Sequence, residues 1–494
     1  MSVQLNEKPT VIRALGPLEI FVSAHHLLRT ACRTIVTGRY AIPADSSFQV
    51  LAPILEQALA LTILEHPLLT VGLASEDSKQ PSWVRVKHID LEGMITWTQA
   101  PESDNYDQFL EQVLMKHHDT PFPDLETVPG WRLTVLRNSD IPLRYIDVAF
   151  HYNHANIDGI SGKIFHKALH RNLNLVSGGN TDALRAVEMD CHILHLPQDL
   201  QLPPTQEDLM KFPISPSFLI STAWKGLRPS FFVPEEFARW APIQASPNET
   251  TLQLFTAEAA DMRHLLSACR KNRTTITGLF HALVLVSLSQ RLPNQPGFVG
   301  GSTINTRRFI EDDTLDPDNL MGNFVTLMTH FFDSKFVSAL RARARSSDNS
   351  IAGLQDLIWE VAARIRAELT QKLERGTADD MMGLVGLMAK GDFRPILKSE
   401  MKKHRECSWE VSNLGTMDVS TPEGTEWRVE QLISSQSAVA NGAAILIFPI
   451  SVKGGRMCTA ITAQKAVVEP ALIEGLANDL DTWLKVLAND TTMA

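Results

Sequence analysis

The stretch from Tyr145 to His166 constrains the fold of this chain more than any other part of it. Its first half, up to Tyr152, is rich in residues that favour strands. Apolar side chains alternate along it, at Ile146, Val148 and Phe150. This alternation predicts a strand that enters a hydrophobic core.

A helix is predicted directly after this strand. Ser161 is placed to cap it, and its apolar face is Ile164, Phe165, Ala168 and Leu169. His154, Asp158 and Gly159 then lie in the short turn between the strand and the helix, where rigid elements commonly hold functional groups. The structural alternative is a core histidine beside an Asp-Gly turn. One His and one Asp four residues apart do not decide between the two.

The pattern His154-x-x-x-Asp158-Gly159 resembles the HxxxDG motif of the CoA-dependent acyltransferase superfamily. That group includes chloramphenicol acetyltransferase, the plant BAHD acyltransferases, the condensation domains of peptide synthetases, and the fungal and yeast alcohol O-acetyltransferases. Condensation domains usually carry two histidines there, whereas this chain has Asn153 before His154. A single histidine is the pattern of the alcohol acyltransferases.

Other parts of the chain resemble the same group, in the same order. The opening Arg13-x-Leu-Gly16-x-x-Glu19 is similar to that of alcohol acetyltransferases, and a predicted strand ends in Arg307 and Arg308. A Gly322-Asn323 element and the turn Ser412-Asn413-x-Gly415 follow. The resemblance therefore covers most of the chain, and it is closest to the fungal and yeast alcohol O-acetyltransferases.

The resemblance implies an α/β fold made of two chloramphenicol acetyltransferase-like domains with an active-site tunnel between them. Prolines recur between Pro197 and Pro247, which is typical of a linker. We predict an N-terminal domain over residues 1–195, which carries the histidine motif, and a Pro-rich surface linker over residues 196–248. The C-terminal domain is predicted over residues 249–494.

Composition excludes several classes of function. The net charge is −10, and no basic run is long enough to follow phosphates, so a nucleic-acid partner is not expected. The sequence has no stretch of about twenty uninterrupted apolar residues, so no transmembrane segment is predicted. The five cysteines are scattered, which argues against a disulfide framework or a zinc site and suits a reducing compartment. We predict a cytoplasmic monomer without a metal ion.

The resemblance assigns roles to particular residues. His154 is the general base, Asp158 forms a structural salt bridge with Arg307, and Gly159 leaves room for the pantetheine arm. An alternative role for Asp158 is to orient the His154 ring, as in a catalytic triad. Ser412 and Asn413 are candidate hydrogen-bond donors to the oxyanion and the substrate.

A basic cluster is expected to bind the anionic co-substrate. The compact candidates are Lys402, Lys403 and Arg405, although a charge run is more often a solvated surface. The co-substrate is expected to be acetyl-CoA or another acyl-CoA, and no permanently bound cofactor is predicted.

The predicted function is acyl transfer in secondary metabolism. An acetyl or short acyl group moves from CoA to a hydroxyl of a small, mainly apolar natural product, through direct attack in a ternary complex. The sequence contains no GxSxG nucleophile element, so a covalent acyl-enzyme intermediate is not predicted. Two alternatives stay open: a standalone condensation-type enzyme that uses a carrier-protein thioester to form an ester or amide, and a non-catalytic binding member of the fold.

Overall fold

The computed structural model describes residues 9–43, 47–102, 105–137, 144–180, 185, 187–229, 232–346, 351–419 and 426–490. Within these residues the strands are β1 Val11–Ala14, β2 Thr34–Ala41, β3 Val71–Ala74, β4 Ser82–Arg85, β5 His88–Asp90, β6 Ile95–Gln99, β7 Trp131–Arg137, β8 Tyr145–Tyr152, β9 Met189–Asp190, β10 Ile193–His195, β11 Thr250–Ala257, β12 Phe298–Asn305, β13 Val325–Phe332, β14 Trp409–Val411, β15 Gly415–Met417, β16 Arg428–Gln436, β17 Ile445–Val452 and β18 Met457–Gln464. The α-helices are α1 Pro17–Leu27, α2 Phe48–Glu65, α3 Leu91–Met94, α4 Tyr106–His118, α5 Gly159–Ser177, α6 Gln206–Leu209, α7 Pro216–Leu227, α8 Ala259–Lys271, α9 Ile276–Arg291, α10 Ser334–Ser346, α11 Gln355–Arg375, α12 Met381–Met388, α13 Phe393–Glu400 and α14 Pro470–Asp490. Short 3₁₀ turns cover Pro67–Leu69, Thr306–Phe309 and Ala352–Leu354.

The first large sheet is built around β8, the strand predicted from the alternating apolar residues. Its strand order is β16-β2-β8-β7-β6. Strands β7 and β8 pair in antiparallel register, with Leu133 opposite Phe150. Helices α2 and α5 contact each other beside this sheet. Because β8 is central and buried, the loop that follows it is held from both sides.

The second large sheet has the order β11-β18-β17-β14-β12-β13, and β15 pairs in parallel with the last residues of β17, Ile450–Val452. The short strand β14 lies parallel to both neighbours, β12 and β17. Its alternate residues Trp409 and Val411 point into the core formed with α9. Glu410 and Ser412 therefore project to the opposite face.

One strand crosses between the two halves of the chain. β16 pairs with β2 in antiparallel register, with Ser434 opposite Val36, so the last quarter of the sequence completes the sheet of the first third. The predicted domain limits at residues 195 and 249 stay a prediction. The strand order shows that the two halves interlock.

The apolar helix α2 is, among the described helices, the one long and apolar enough to cross a bilayer by length and composition. It carries Leu51, Leu55, Leu59 and Ile63 into the first core, where all four are buried. A core helix of a folded domain can be as apolar as a membrane-spanning helix, and α2 packs as a core helix.

Candidate active site

His154 lies two residues beyond the end of β8, in a loop fixed by its own backbone. Asn153 donates its N–H to the carbonyl of Gly130 at 2.8 Å, and its side-chain oxygen accepts the N–H of Ala155 at 3.0 Å. The carbonyl of His154 accepts a hydrogen bond from Nδ2 of Asn323 at 2.7 Å. These contacts leave the ring of His154 against a cavity.

Asp158 begins the helix that follows. Its carboxylate accepts the N–H of Ser161 at 2.8 Å and the Ser161 hydroxyl at 2.9 Å, so Asp158 is the N-cap of α5. The prediction that Ser161 caps this helix is wrong. The helix starts three residues earlier than expected because the aspartate binds the free N–H groups of the first turn.

Arg307 completes the environment of Asp158. Its Nη1 and Nη2 donate to the two carboxylate oxygens at 2.7 and 3.1 Å, and the N–H of Phe324 donates at 2.9 Å. The ion pair expected from the sequence is thus present, and both partners are buried, whereas Arg308 is exposed. Within the described residues the Asp158 carboxylate makes no hydrogen bond to the His154 ring.

The protonation states of these two groups follow from their surroundings. Burial raises the pKa of Asp158, but the charge and hydrogen bonds of Arg307, with the N–H groups of Phe324 and Ser161, outweigh it and hold that pKa below 3.8. Burial lowers the pKa of His154 from 6.5. Its own backbone, the Asp158 charge and the backbone of Ile157 oppose this only in part. The ring is therefore neutral at neutral pH.

A cavity of about 250 Å³ opens in front of His154. Residues of both halves line it: His154, Asp158, Gly159 and Ile160 on one side, and Thr303, Asn305, Glu410, Ser412, Asn413 and Leu414 on the other. A second cavity of about 160 Å³ also borders His154, and it is lined by His25, Cys32 and Asn153 among others. The histidine motif and the Ser412-Asn413 turn, far apart in sequence, thus share one cavity.

Ser412 and Asn413 differ in what their side chains already bind. Asn413 donates its Nδ2 to the Thr277 hydroxyl at 3.0 Å, and its Oδ1 accepts the N–H of Gly415 at 2.8 Å. The Ser412 hydroxyl has no hydrogen-bond partner among the residues the structure describes, while the Ser412 N–H donates to the carbonyl of Ile447. Ser412 is therefore the freer donor toward the cavity.

Gly159 and Lys163 join the start of α5 to the Ser412 turn. A Cβ atom at Gly159 would lie 2.7 Å from Cδ2 of Leu414, so the glycine permits close approach of the two walls. Lys163 donates its Nζ to the carbonyl of Leu414 at 2.8 Å. Sequence reasoning missed Lys163, and its place one turn into α5 is the signal that was available.

The opening motif of the chain also has a structural role. Arg13 forms a bidentate ion pair with Glu19 at 2.7 and 2.8 Å, and Glu19 accepts the N–H of Gly16 at 2.7 Å. This fixes the start of α1, whose Leu18, Phe21 and Val22 line the cavity. The sequence resemblance found the motif but not this contribution to the cavity wall.

The predicted basic cluster is not a single exposed surface. Arg405 is buried, and its guanidinium donates to the backbone carbonyls of Ala241, Ala440 and Gly442 at 2.6–2.9 Å. Burial lowers its pKa to about 10. The expectation that Arg405 offers a cation to a ligand is corrected, because its donors hold three loop carbonyls. Lys402 and Lys403 are exposed, Lys403 pairs with Glu400 at 2.6 Å, and neither lysine lines the cavity.

A groove of about 360 Å³ also borders Asn413. Met262, Arg263 and Leu266 of α8 line it, with Ile276 at the first turn of α9 and Lys453 in the β17–β18 turn. Asn413 borders both this groove and the cavity in front of His154. No local sequence pattern indicates the groove, because its residues come from four separate segments.

A second polar row lies inside the C-terminal half. Trp409 donates to Nδ1 of His281 at 2.9 Å, so Nε2 of His281 carries the proton and donates to the Ser302 hydroxyl at 2.8 Å. The Ser302 hydroxyl then donates to His330, whose Nδ1 donates to Glu368 at 2.6 Å. His281, Ser302 and His330 are fully buried and none lines the cavity, so this row belongs to the packing of the C-terminal half.

Comparison with known proteins gives consistent results. Residues 54–473 match the family model described as alcohol acetyltransferase. A probable alcohol acetyltransferase of Fusarium pseudograminearum, FCK4, is 28% identical over 98% of this chain and 96% of that protein. A probable alcohol acetyltransferase of Aspergillus fumigatus, crmB, is 24% identical over 92% of this chain and 95% of that protein.

Solved structures share the fold. The trichothecene 15-O-acetyltransferase TRI3 of Fusarium sporotrichioides superposes with a TM-score of 0.69 at 17% identity, over 96% of this chain and 94% of that chain. The condensation domain of the polyketide synthase MokA gives 0.52 at 12% identity, over 98% and 97%. The predicted fold class, two chloramphenicol acetyltransferase-like α/β domains, is confirmed.

Proposed function

The chain belongs to the alcohol acetyltransferase family, and from this premise we propose that it moves an acetyl or other short acyl group from CoA to a hydroxyl of a small, mainly apolar natural product, with His154 as the general base. The observation that carries the proposal is the place of His154. A neutral imidazole stands at a cavity lined by both halves of the chain, with the Ser412 hydroxyl in the same cavity.

The acceptor needs help to react, because an alcohol is a weak nucleophile. A neutral imidazole takes the proton of the acceptor hydroxyl while the hydroxyl oxygen forms its bond to the thioester carbonyl carbon. Such general-base catalysis raises the reaction rate by roughly two to four orders of magnitude. The tetrahedral intermediate then expels the CoA thiolate as the carbon–sulfur bond breaks. The imidazolium of His154 returns the proton to that thiolate.

The negative charge on the carbonyl oxygen of that intermediate needs hydrogen-bond donors. The Ser412 hydroxyl is the better candidate, because Asn413 would first have to release the Thr277 hydroxyl. Asp158 acts on the reaction indirectly. With Arg307 it holds the His154 loop in shape, and its charge partly offsets the effect of desolvation on the pKa of His154.

The groove beyond Asn413 is proposed as the site of the CoA moiety. Arg263 and Lys453 give its rim positive charge, and the positive end of α9 borders it at Ile276, as phosphate groups prefer. Arg263 has no ion pair among the described residues, whereas Lys453 is paired with Asp418 at 2.6 Å. Donor and acceptor would then meet at Asn413 and His154 from two sides.

Replacement of Arg263 tests this donor site. Arg263→Ala is expected to raise the KM for acetyl-CoA by a few fold, the scale of one exposed charge, and to leave the KM for the acceptor unchanged. Lys402→Ala/Lys403→Ala is the matched control, and it is expected to leave both constants unchanged. An effect of the lysine pair alone would move the donor site back to the cluster suggested by the sequence.

The reaction itself is tested with the purified chain, acetyl-CoA and a panel of alcohols, by measuring release of the CoA thiol and formation of the ester. Initial rates should give intersecting lines, because both substrates are bound before chemistry. Parallel lines, or labelled acyl group trapped on the protein, would indicate a covalent intermediate and contradict the mechanism. If acetyl-CoA is inert and an acylated carrier protein reacts, the condensation-type alternative replaces this proposal. A cytoplasmic location and a monomeric state belong to the same proposal.

A further inference from the structure

Glu410 is a carboxyl group placed in the wall of the cavity without a cation beside it. It lies on β14, two residues before Ser412, and both side chains leave the same face of the strand. One of its oxygens accepts the Thr303 hydroxyl at 2.7 Å. That is the one hydrogen bond the described residues give this side chain, and none of them pairs with it as a cation.

Such an arrangement is costly unless a ligand completes it. Most buried carboxyl groups are paired with a cation or bound by several donors, since an unpaired one loses its hydration without compensation. Burial raises the pKa of Glu410, and only the Thr303 hydrogen bond opposes this. Glu410 borders an otherwise mainly apolar cavity that also reaches His154, so an acceptor bound in this cavity would lie against its carboxyl group.

We propose that Glu410 determines acceptor specificity by binding a second hydrogen-bond donor of the acceptor, a hydroxyl or an ammonium group remote from the hydroxyl that is acylated. This rests on the proposed function and narrows its substrate class to diols and amino alcohols on an apolar frame. Two residues of a strand span about 7 Å, which sets the order of the distance between the two polar groups.

The test compares acceptors that differ only at the far end. Alcohols with a chain of four to eight carbons are used in three series: one hydroxyl, a hydroxyl at each end, and a hydroxyl with a terminal amine. For the unmodified enzyme we expect kcat/KM for the best two-ended acceptor to exceed that of the matching mono-alcohol by at least about tenfold, after correction for the two equivalent ends of a diol. The amine and diol series tell which donor is bound.

Three variants separate recognition from structure. Glu410→Leu is expected to remove the preference and favour the mono-alcohol, while Glu410→Gln should keep a preference for the diol and lose that for the amine. Glu406→Gln is the matched control: it removes another partly buried carboxyl group, one whose pKa burial also raises but which does not line the cavity. It should leave the ratios unchanged.

Equal kcat/KM for one- and two-ended acceptors in the unmodified enzyme, or ratios that Glu410→Leu leaves unchanged, would overturn the proposal while leaving the acyltransferase function intact. If no alcohol is acylated, the proposed function fails instead. The same ligand pairs are then compared by the rise in Tm they cause. A larger rise with the two-ended ligand, lost in Glu410→Leu, would still support the site, and equal rises would remove it.

Discussion

Asp158 and Glu410 place a carboxyl group beside the same cavity, one from the loop after β8 and the other from β14. Asp158 accepts two hydrogen bonds from Ser161, two from Arg307 and one from Phe324. Glu410 accepts one, from Thr303. The pKa of Asp158 is held down by its partners, and that of Glu410 is raised by burial.

The difference separates two uses of a carboxyl group: Asp158 is buried, and Glu410 is partly buried at the cavity wall. Protein groups occupy the oxygens of Asp158, so this residue shapes the loop that carries His154 and is not free to bind a ligand. Glu410 keeps its carboxyl group at the cavity at a cost in stability, which is the expected sign of a group kept for binding. We call the cavity side formed by His154, Asp158 and Gly159 the loop wall, and the side formed by Glu410, Ser412 and Asn413 the strand wall. The loop wall is thus pre-organised by protein contacts, and the strand wall is completed by the acceptor.

The largest effect is expected on the loop wall, at His154. His154→Ala should lower kcat by roughly two to four orders of magnitude because it removes the general base. It should change Tm only slightly, because the ring takes no part in the buried Asp158–Arg307 pair. Steady-state kinetics and thermal unfolding measure the two effects. His192→Ala, on the exposed surface, is the control. Near-normal turnover by His154→Ala would remove the mechanism.

The next effect is on stability, through Asp158. Asp158→Ala leaves the buried Arg307 without its partner and should lower the free energy of unfolding by about 3–5 kcal/mol. Denaturant unfolding of Asp158→Ala, Arg307→Leu and the double variant checks this. Because the two residues form one pair, the double variant should lose much less than the sum of the single losses. Additive losses would mean that the pair does not act as a unit.

Glu410 should respond in the opposite direction. Glu410→Gln is expected to raise the free energy of unfolding by about 1–3 kcal/mol at neutral pH, since an amide avoids burial of an uncompensated charge. The folded pKa of Glu410 is raised, so the ionised group costs stability above that pKa, and the cost disappears as acid protonates it. The gain should therefore vanish at low pH. A loss of stability on Glu410→Gln at neutral pH would refute the contrast with Asp158.

The smallest effect concerns the pH dependence of the loop wall. The pKa of His154 is lowered below 6.5, so the active neutral form of the ring already prevails at pH 6.5 and above. We expect kcat/KM to be flat around neutral pH and to fall by about tenfold per pH unit only below the lowered pKa. In Asp158→Asn the attraction of the carboxylate for the imidazolium is lost, so the acid limb should move to still lower pH. A shift to higher pH would exclude this electrostatic role.

Much of the loop wall could be predicted from sequence, because it is local. The alternating run before His154 and the aspartate four residues later lie on one strand and one turn, and their spacing is enough to place them. Arg307 was found through its family motif, although it is distant in sequence. The N-cap role of Asp158 was missed, because Ser161 competes as a capping residue when only the sequence is known.

The strand wall could be predicted less well, because tertiary packing defines it. Ser412 was found as part of a motif, but nothing in the order of residues around Glu410 shows that this residue borders a cavity. Arg405 shows the opposite error: its charge suggested a ligand site, while the fold uses its guanidinium to hold loop carbonyls. A local sequence pattern does not show how many hydrogen-bond partners the folded protein will place around a side chain.

The pairing of β16 with β2 has a consequence for biosynthesis. Val36 leaves the ribosome early and Ser434 near the end, yet they lie side by side in one sheet. The first sheet therefore stays incomplete, with β2 as an open edge, until almost the whole chain has been made. Contacts between such distant parts of a chain slow folding, so chaperone protection of the nascent N-terminal half would matter more here than in a protein whose halves close independently.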